Sequence, residues 1–413
     1  MRILLLTRQF IYDPERQTSG VYKRLTMFIE AITRIADLDI LCYVNTEIQF
    51  SRDEIAGFEK AFSDYWGKKI RIFTCPINEY RDETGLASGL SYLKGIFSFF
   101  NQRLYYEAGG RVQVRALESR LDTRPNAVFA HRLAAMSPVL RTRKPLPSVF
   151  FDLDDIEHIL LERFIDNGGV LKKLLYLHFP ALYWGEDKAT RLAVRTFVCS
   201  EGDRQYLSRR FKASRVVAIP NAVRIPDSRP LTTEPTILFL GAFFTQNVDA
   251  ARLLIDSIWP HITEQMPEAR LIIAGMTREQ IGRDPDGIDG IEVTGFVEDL
   301  DLLYERVRIV ATPILVGGGT RVKIIEACAY GKPVVSTTIG AEGINLESET
   351  EILIRDNPRD FADACLRLLR DPSLCAEIGS KGRARIAGEN NRDAVIGKIS
   401  EQLLDALIPG APN

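Results

Sequence analysis

The chain has 413 residues, 46% of them hydrophobic and 26% charged. At roughly 100–200 residues per domain, two or three domains are expected, and disordered, collagen-like and small stapled chains are excluded. Fifty-three Lys and Arg against fifty-five Asp and Glu leave a net charge of −2, which excludes a whole-chain polyanion binder and so nucleic acid as a partner.

The chain opens on the short apolar run Ile3–Leu6, broken at once by Thr7, Arg8 and Gln9. That is too short for a signal peptide, and no later run approaches the ~20 apolar residues of a membrane span. Six cysteines (42, 75, 199, 328, 365, 375) form no CxxC pair and have no histidine at metal spacing, so they read as buried reduced thiols. The expected location is the cytoplasm.

Short aliphatic runs then alternate with helical patterns. Ile3–Leu6, Leu38–Val44, Lys69–Phe73, Ala127–Ala130, Ser148–Phe151, Thr196–Cys199 and Val216–Ile219 read as one set of strands. Thr236–Leu240, Arg270–Ala274, Ile291–Thr294, Ile309–Thr312, Pro333–Ser336 and Ile352–Ile354 read as a second. Runs apolar on both faces and separated by helices are what a buried parallel sheet requires. Ala251, Leu254, Ile255, Ile258 and Ile262 mark one amphipathic helix between strands.

The predicted class is therefore α/β, with two doubly wound, Rossmann-like domains facing each other across a cleft. Three prolines between Ile225 and Pro235 mark the seam. Domains are expected over 1–228 and 234–390. The stripe Ile396, Ile399, Leu403 and Leu407 predicts that a helix in 391–413 packs back across the seam.

Open α/β sheets bind ligands beyond the carboxyl ends of their strands. After the strand Ile309–Thr312 comes Gly317, Gly318, Gly319 and Thr320, then the cations Arg321 and Lys323. Three glycines admit a ligand close to the backbone, and a helix starting near Thr320 favours an anion. The pattern is neither a dinucleotide fingerprint nor a Walker loop. It reads as a phosphate site with Arg321 and Lys323 on a solvent-facing first helical turn, the alternative being a helix N-cap after a flexible loop with a Lys323–Glu326 ion pair.

The run from Gly317 to Ile344, with Ile237–Gly241, Asn247–Ala250, Leu271–Gly275 and Thr294–Val297, resembles the retaining family 4 glycosyltransferases, which have the two-domain GT-B fold. The resemblance implies transfer of a sugar from a nucleoside diphosphate, UDP or GDP, without a bound metal or other cofactor. It puts Glu326 on the donor ribose, the Phe296–Val297 backbone on the base, and Gly20 and His131 near the donor sugar. The glutamate eight positions before Glu326 is replaced by Gly318. The cations expected in the loop from Gly241 to Asn247 are missing, and Arg321 and Lys323 replace them as the charges on the diphosphate.

The acidic group Asp152, Asp154 and Asp155 ends a strand and reads as an acceptor contact or a helix cap. His158, His178 and His261 fall in helical patterns and read as structural. From residue 103 to 144 nine Lys and Arg stand against three acids, a net of +6, just after the aromatic stretch Tyr92–Phe100. These suit a peripheral contact with the inner face of a membrane, near a glycan or lipid-linked acceptor in cell-surface polysaccharide synthesis. Solvated basic helices beside core aromatics are the other reading. Two rival functions share the scaffold: a catalytically weak nucleotide-sugar-binding protein and a nucleotide-sugar epimerase.

Overall fold

A computed structural model describes residues 1–15, 19–77, 93–102, 108–166, 170–227, 232–282 and 289–407. The chain divides into two compact units, Met1–Pro220 with Asp393–Asn413, and Asn221–Arg392.

Unit one is built on a seven-stranded parallel sheet in the order β3-β2-β1-β4-β5-β6-β7. Its strands are β1 Arg2–Thr7, β2 Asp37–Val44, β3 Ile70–Pro76, β4 Ala127–His131, β5 Ser148–Asp152, β6 Arg195–Val198 and β7 Val216–Ala218. The central ones are buried along all but at most their first residues, which is why they read as continuous apolar runs. The helix Arg392–Leu407 buries Val395, Ile396, Ile399 and Leu403, and Ser400 Oγ donates to the Ala31 carbonyl of the helix Gly20–Ile35.

Unit two has a six-stranded parallel sheet ordered β10-β9-β8-β11-β12-β13. The strands are β8 Thr236–Leu240, β9 Arg270–Ala274, β10 Ile291–Gly295, β11 Ile309–Thr312, β12 Val334–Ser336 and β13 Leu353–Ile354. Alternate residues feed two cores. Ile237, Phe239, Leu271 and Ile273 pack on one face of the sheet, and Leu238, Ile272, Ala274 and Val310 on the other. The predicted stripe Ala251–Ile262 is buried as expected, with a π-helical turn at Leu254–Ile258.

The units divide at Pro220, upstream of the proline-rich segment, whose residues 228–231 lie outside the described ones. Hydrogen bonds explain the earlier division. The Val223 N–H donates to the Asn390 carbonyl, Asn221 Nδ2 donates to Thr320 Oγ1 at 2.7 Å, and Arg383 Nη2 donates to the Pro226 carbonyl at 2.5 Å. Residues 221–226 are thereby stitched to unit two.

Candidate functional site

Both sheets reverse strand order once, and the crevice at such a reversal is where doubly wound sheets bind ligands. In unit two the reversal lies between β8 and β11. β8, β9 and β10 all run into glycine at this edge: Gly241, Gly275 and Gly295. The Gly241 N–H donates to the Ala274 carbonyl and the Gly275 N–H to the Gly295 carbonyl. Gly275 has φ +94°, and a Cβ there would come within 2.7 Å of the Gly241 carbonyl oxygen. The carboxyl edge of three neighbouring strands is thus a ledge of bare backbone.

Side chains from both sides of the reversal meet on this ledge. Lys323 Nζ, from the helix Val322–Ala329 after β11, donates to Asn247 Oδ1 at 2.7 Å. Asn247, from the helix Thr245–Leu253 after β8, donates through Nδ2 to the Ala242 carbonyl at 2.7 Å. A Cβ on Gly241 would lie 3.0 Å from Asn247 Cγ and 3.1 Å from Lys323 Nζ, so the absence of a side chain makes room for the pair. Lys323 Nζ also lies 4.9 Å from the centre of the Phe239 ring. Burial, reinforced by the Arg321 charge and opposed by Glu326, lowers its pKa from 10.5 to about 7.

The solvent-facing first turn expected for Arg321 and Lys323 is corrected. The helix starts at Val322, with Arg321 as its N-cap residue, and the Thr320 hydroxyl accepts from Asn221. Arg321 Nη1 donates to the carbonyls of Gly318 and Gly319, the latter at 2.8 Å. Gly317 and Gly319 adopt φ of +138° and +64°. A Cβ at Gly317 would meet Arg321 Nη2 at 2.7 Å, so glycine is needed both for the turn and for the guanidinium that braces it. Lys323 is flanked by buried Val322, Ile324 and Ile325. Glu326 is half-buried three residues after Lys323, on the same side of the helix. Phe296 is 62% exposed just past β10, and Val297 packs into the core beneath.

Unit one reverses between β1 and β4. The last residues of these strands touch there: Thr7 Oγ1 lies 3.2 Å from His131 Nδ1. The Gln9 N–H donates to the same hydroxyl. His131 Nε2 is 3.8 Å from Asp152 Oδ2, and both side chains are fully buried. Burial, aided by Arg132 and Arg24 against Asp154, lowers the histidine to about 3, so it is neutral near pH 7 and is not an exchangeable acid there.

Sequence reasoning missed what surrounds the acidic group. Arg24, wholly buried in the helix Gly20–Ile35, donates from Nε and Nη2 to Asp152 at 2.9 and 2.6 Å, and from Nη1 to the Ile219 carbonyl at 2.9 Å. Asp152 is therefore a buried counter-ion rather than an acceptor contact. Asp154 accepts from the Cys199 thiol at 3.1 Å, and Asp155 from Arg132 at 2.8 Å. Arg132 carries this pairing on a left-handed backbone, φ +68°. Gly20 opens its helix behind Ser19, whose hydroxyl caps the Tyr22 N–H at 3.4 Å. The structural reading of His158 agrees with its place: Nε2 lies 2.8 Å from the Tyr206 hydroxyl and Nδ1 pairs with buried Glu186.

All six cysteines are free and buried. Among the described residues no group of three His, Cys, Asp or Glu is arranged to hold a metal, and no helix is long and apolar enough to cross a membrane. A cavity of about 590 Å³ in unit two is lined by Thr236, Arg270 and Ile291, at the amino ends of β8, β9 and β10. It lies at the opposite end of the sheet from the glycine ledge.

Residues 234–371 match the family described as glycosyl transferases group 1. An uncharacterized 44.6 kDa protein in the cps region of Klebsiella pneumoniae is 25% identical over 151 residues, 34% of this chain and 39% of that protein's length. Sucrose-phosphate synthase from Thermosynechococcus elongatus superposes with a TM-score of 0.68 at 16% identity, over 98% of this chain and 100% of that one. TarM of S. aureus, solved with UDP, α-GlcNAc-glycerol and fondaparinux, does so with a TM-score of 0.68 at 13% identity, over 98% and 99%. The chain therefore has the two-domain GT-B fold of these structures, and residues 234–371 of its second unit are related to the group 1 glycosyltransferases.

Proposed function

We propose that this protein is a retaining glycosyltransferase that moves a sugar from a UDP- or GDP-sugar to a glycan or lipid-linked acceptor in cell-surface polysaccharide synthesis. The observation that carries this reading is the convergence of Lys323, Asn247 and Gly241 with the Gly317–Gly319 turn at the β8/β11 reversal. A diphosphate lying on the ledge meets the Lys323 ammonium, the N–H groups of the triple-glycine turn and Thr320, and the positive end of the helix Val322–Ala329. Glu326 reaches the ribose hydroxyls, and the Phe296–Val297 backbone meets the base.

In the reaction, the bond from the anomeric carbon to the diphosphate oxygen breaks and the acceptor oxygen bonds to that carbon on the same face. The acceptor proton passes to the departing phosphate. A cation ~4 Å from the phosphate oxygen is worth about 4 kcal/mol at an effective dielectric near 20, before desolvation. Lys323, and Arg321 through the turn it braces, supply that stabilisation where the charge develops. Peripheral contact with the inner face of a membrane belongs to the proposal, since a lipid-linked acceptor is presented there.

Gly318, at the position of the family's sugar-binding glutamate, favours a second reading, a nucleotide-sugar-binding protein with little turnover. Thermal shift with UDP, GDP, ADP and their sugars identifies the donor, because a ligand bound to the native state raises its stability by mass action. Incubation with that donor and glycan or polyprenyl-phosphate-linked acceptors then decides. Transfer with retention supports the first reading; binding without turnover supports the second; an isomerised donor without transfer would mean epimerisation. Failure of every nucleotide to bind refutes all three.

A further inference from the structure

In the basic stretch 103–144, Arg120, Arg132, Arg141 and Lys144 are engaged inside unit one, while Arg111, Arg115, Arg124 and Arg143 are exposed. Residues 103–107, and Tyr92 before them, lie outside the described ones. Arg120 stacks 4.1 Å from the Phe73 ring centre, Arg141 donates to the Gly109 carbonyl at 2.6 Å, and Lys144 donates to the Glu118 carbonyl at 3.1 Å. A neighbouring surface is richer in unburied apolar groups. Phe97 is 84% exposed, Leu93 52%, Leu177 50% and Trp184 46%.

These residues belong to one surface. Phe99 is buried against Gly185, where a Cβ would come within 2.3 Å of its ring. Phe100 packs edge-on to Trp184 at 6.2 Å, and Gln102 Nε2 donates to the His178 carbonyl at 2.9 Å. The segment 93–102 is thus laid directly on residues 177–185. In the helix Phe179–Leu192, Pro180, Trp184, Lys188 and Leu192 recur every four residues and are all exposed. A helix that only packs inward keeps its outer stripe polar.

Cations ring the patch. Lys94, Lys173 and Lys188 are exposed, and Lys188 Nζ lies 4.8 Å over the Trp184 ring. Of the nearby acids, Asp187 is engaged by Arg191 at 2.7 Å and Asp166 accepts from the Tyr176 hydroxyl at 2.6 Å. We infer that the face formed by residues 93–100 and 173–192 rests on an anionic lipid bilayer, with Phe97 and Leu177 entering the headgroup boundary and Trp184 at its level. Aromatic and aliphatic tips within a ring of lysines suit an interface that is apolar below and negative at its surface. A second copy of this chain would bring like-charged rings together across a two-fold contact. The inference rests on the membrane part of the proposed function and is independent of the donor chemistry.

The test is co-sedimentation of the full chain with vesicles of phosphatidylglycerol and phosphatidylcholine in equal parts, and with phosphatidylcholine alone. The protein should pellet with the anionic vesicles and be released by salt. The pair Phe97→Ser, Leu177→Ser should lower the partition coefficient at least about tenfold. The triple Lys94→Glu, Lys173→Glu, Lys188→Glu should lower it about fivefold per lysine. Both variants should keep the wild-type Tm and nucleotide-sugar affinity, so a lost membrane face is distinguishable from a wrong donor site. Brominated lipid should quench the fluorescence of the unmodified protein, and Trp184→Phe should remove that quenching, which settles the matter if a variant does not fold. Wild-type protein that stays in solution with anionic vesicles overturns the inference. So does a patch-dependent dimer in sedimentation velocity, which would assign this face to a second copy.

Discussion

Replacing Lys323 by methionine isolates the charge on which the donor site depends. Methionine keeps most of the side chain's length against Phe239 while removing the ammonium that Asn247 holds. With a pKa near 7 in the free protein, Lys323 is about three-quarters charged at pH 6.5 and only about 3% charged at pH 8.5. A bound diphosphate keeps it charged throughout. Binding at the higher pH must therefore first take up a proton, and affinity for a nucleotide sugar should fall about 20-fold between these two values.

The nucleotide sugar is the right probe because its diphosphate diester does not itself titrate there. Calorimetry in buffers of different ionisation enthalpy should show uptake of about one proton per site at pH 8.5 and about a quarter of one at pH 6.5. The stability of the free protein follows the opposite sign. The unfolded chain holds its lysine proton up to about 10.5, so stability should rise as pH climbs from about 7 towards that value. Lys323→Met should abolish both slopes and stabilise the free protein below pH 7. A wild-type affinity that is flat across this range, or a methionine variant that keeps the slope, refutes the assignment of Lys323 to the diphosphate.

Other perturbations probe single contacts. Glu326→Ala should weaken nucleoside diphosphate binding by roughly 1–3 kcal/mol while sparing inorganic pyrophosphate; equal losses in titration calorimetry would make Glu326 a support of its helix only. Gly241→Ala brings a Cβ to 3.0 Å from Asn247 Cγ, and it should lower donor affinity at least about tenfold with a loss in folding stability of about 1–3 kcal/mol. Asp152→Asn leaves Arg24 buried with its main counter-charge gone and should cost about 3–5 kcal/mol in urea denaturation. The double change Arg24→Met, Asp152→Leu should recover most of that loss.

The strands were legible because a parallel sheet covered on both faces leaves uninterrupted aliphatic runs, and Leu4, Val128, Ile237 and Leu271 each announce one. The glycine-rich turn was legible for a related reason: three successive glycines after a strand have little use except close backbone approach. The helix was expected near Thr320 and starts two residues later, at Val322. The partner of the Thr320 hydroxyl, Asn221, is 99 residues away. The partial burial of Lys323 did have a signal, since Val322, Ile324, Ile325, Ala327, Cys328 and Ala329 leave that helix apolar on nearly every side. Arg24 had one too, a cation one turn before buried Phe28, but Asp152 lies 128 residues on and no local pattern joins them.

The composition of unit one, from Met1–Pro220 and Asp393–Asn413, has a bearing on biogenesis. Translation delivers its sheet first, then the whole of Asn221–Arg392, and only afterwards the helix Arg392–Leu407 that Ser400 fastens to Ala31. Until the ribosome has passed Leu403, the apolar seat of Val395, Ile396 and Ile399 stays wet on the nascent chain. Unit two, contiguous in the gene, has no such wait. A premature stop near residue 390 would thus spare the half that carries the glycine ledge and expose the other half to proteolysis and aggregation.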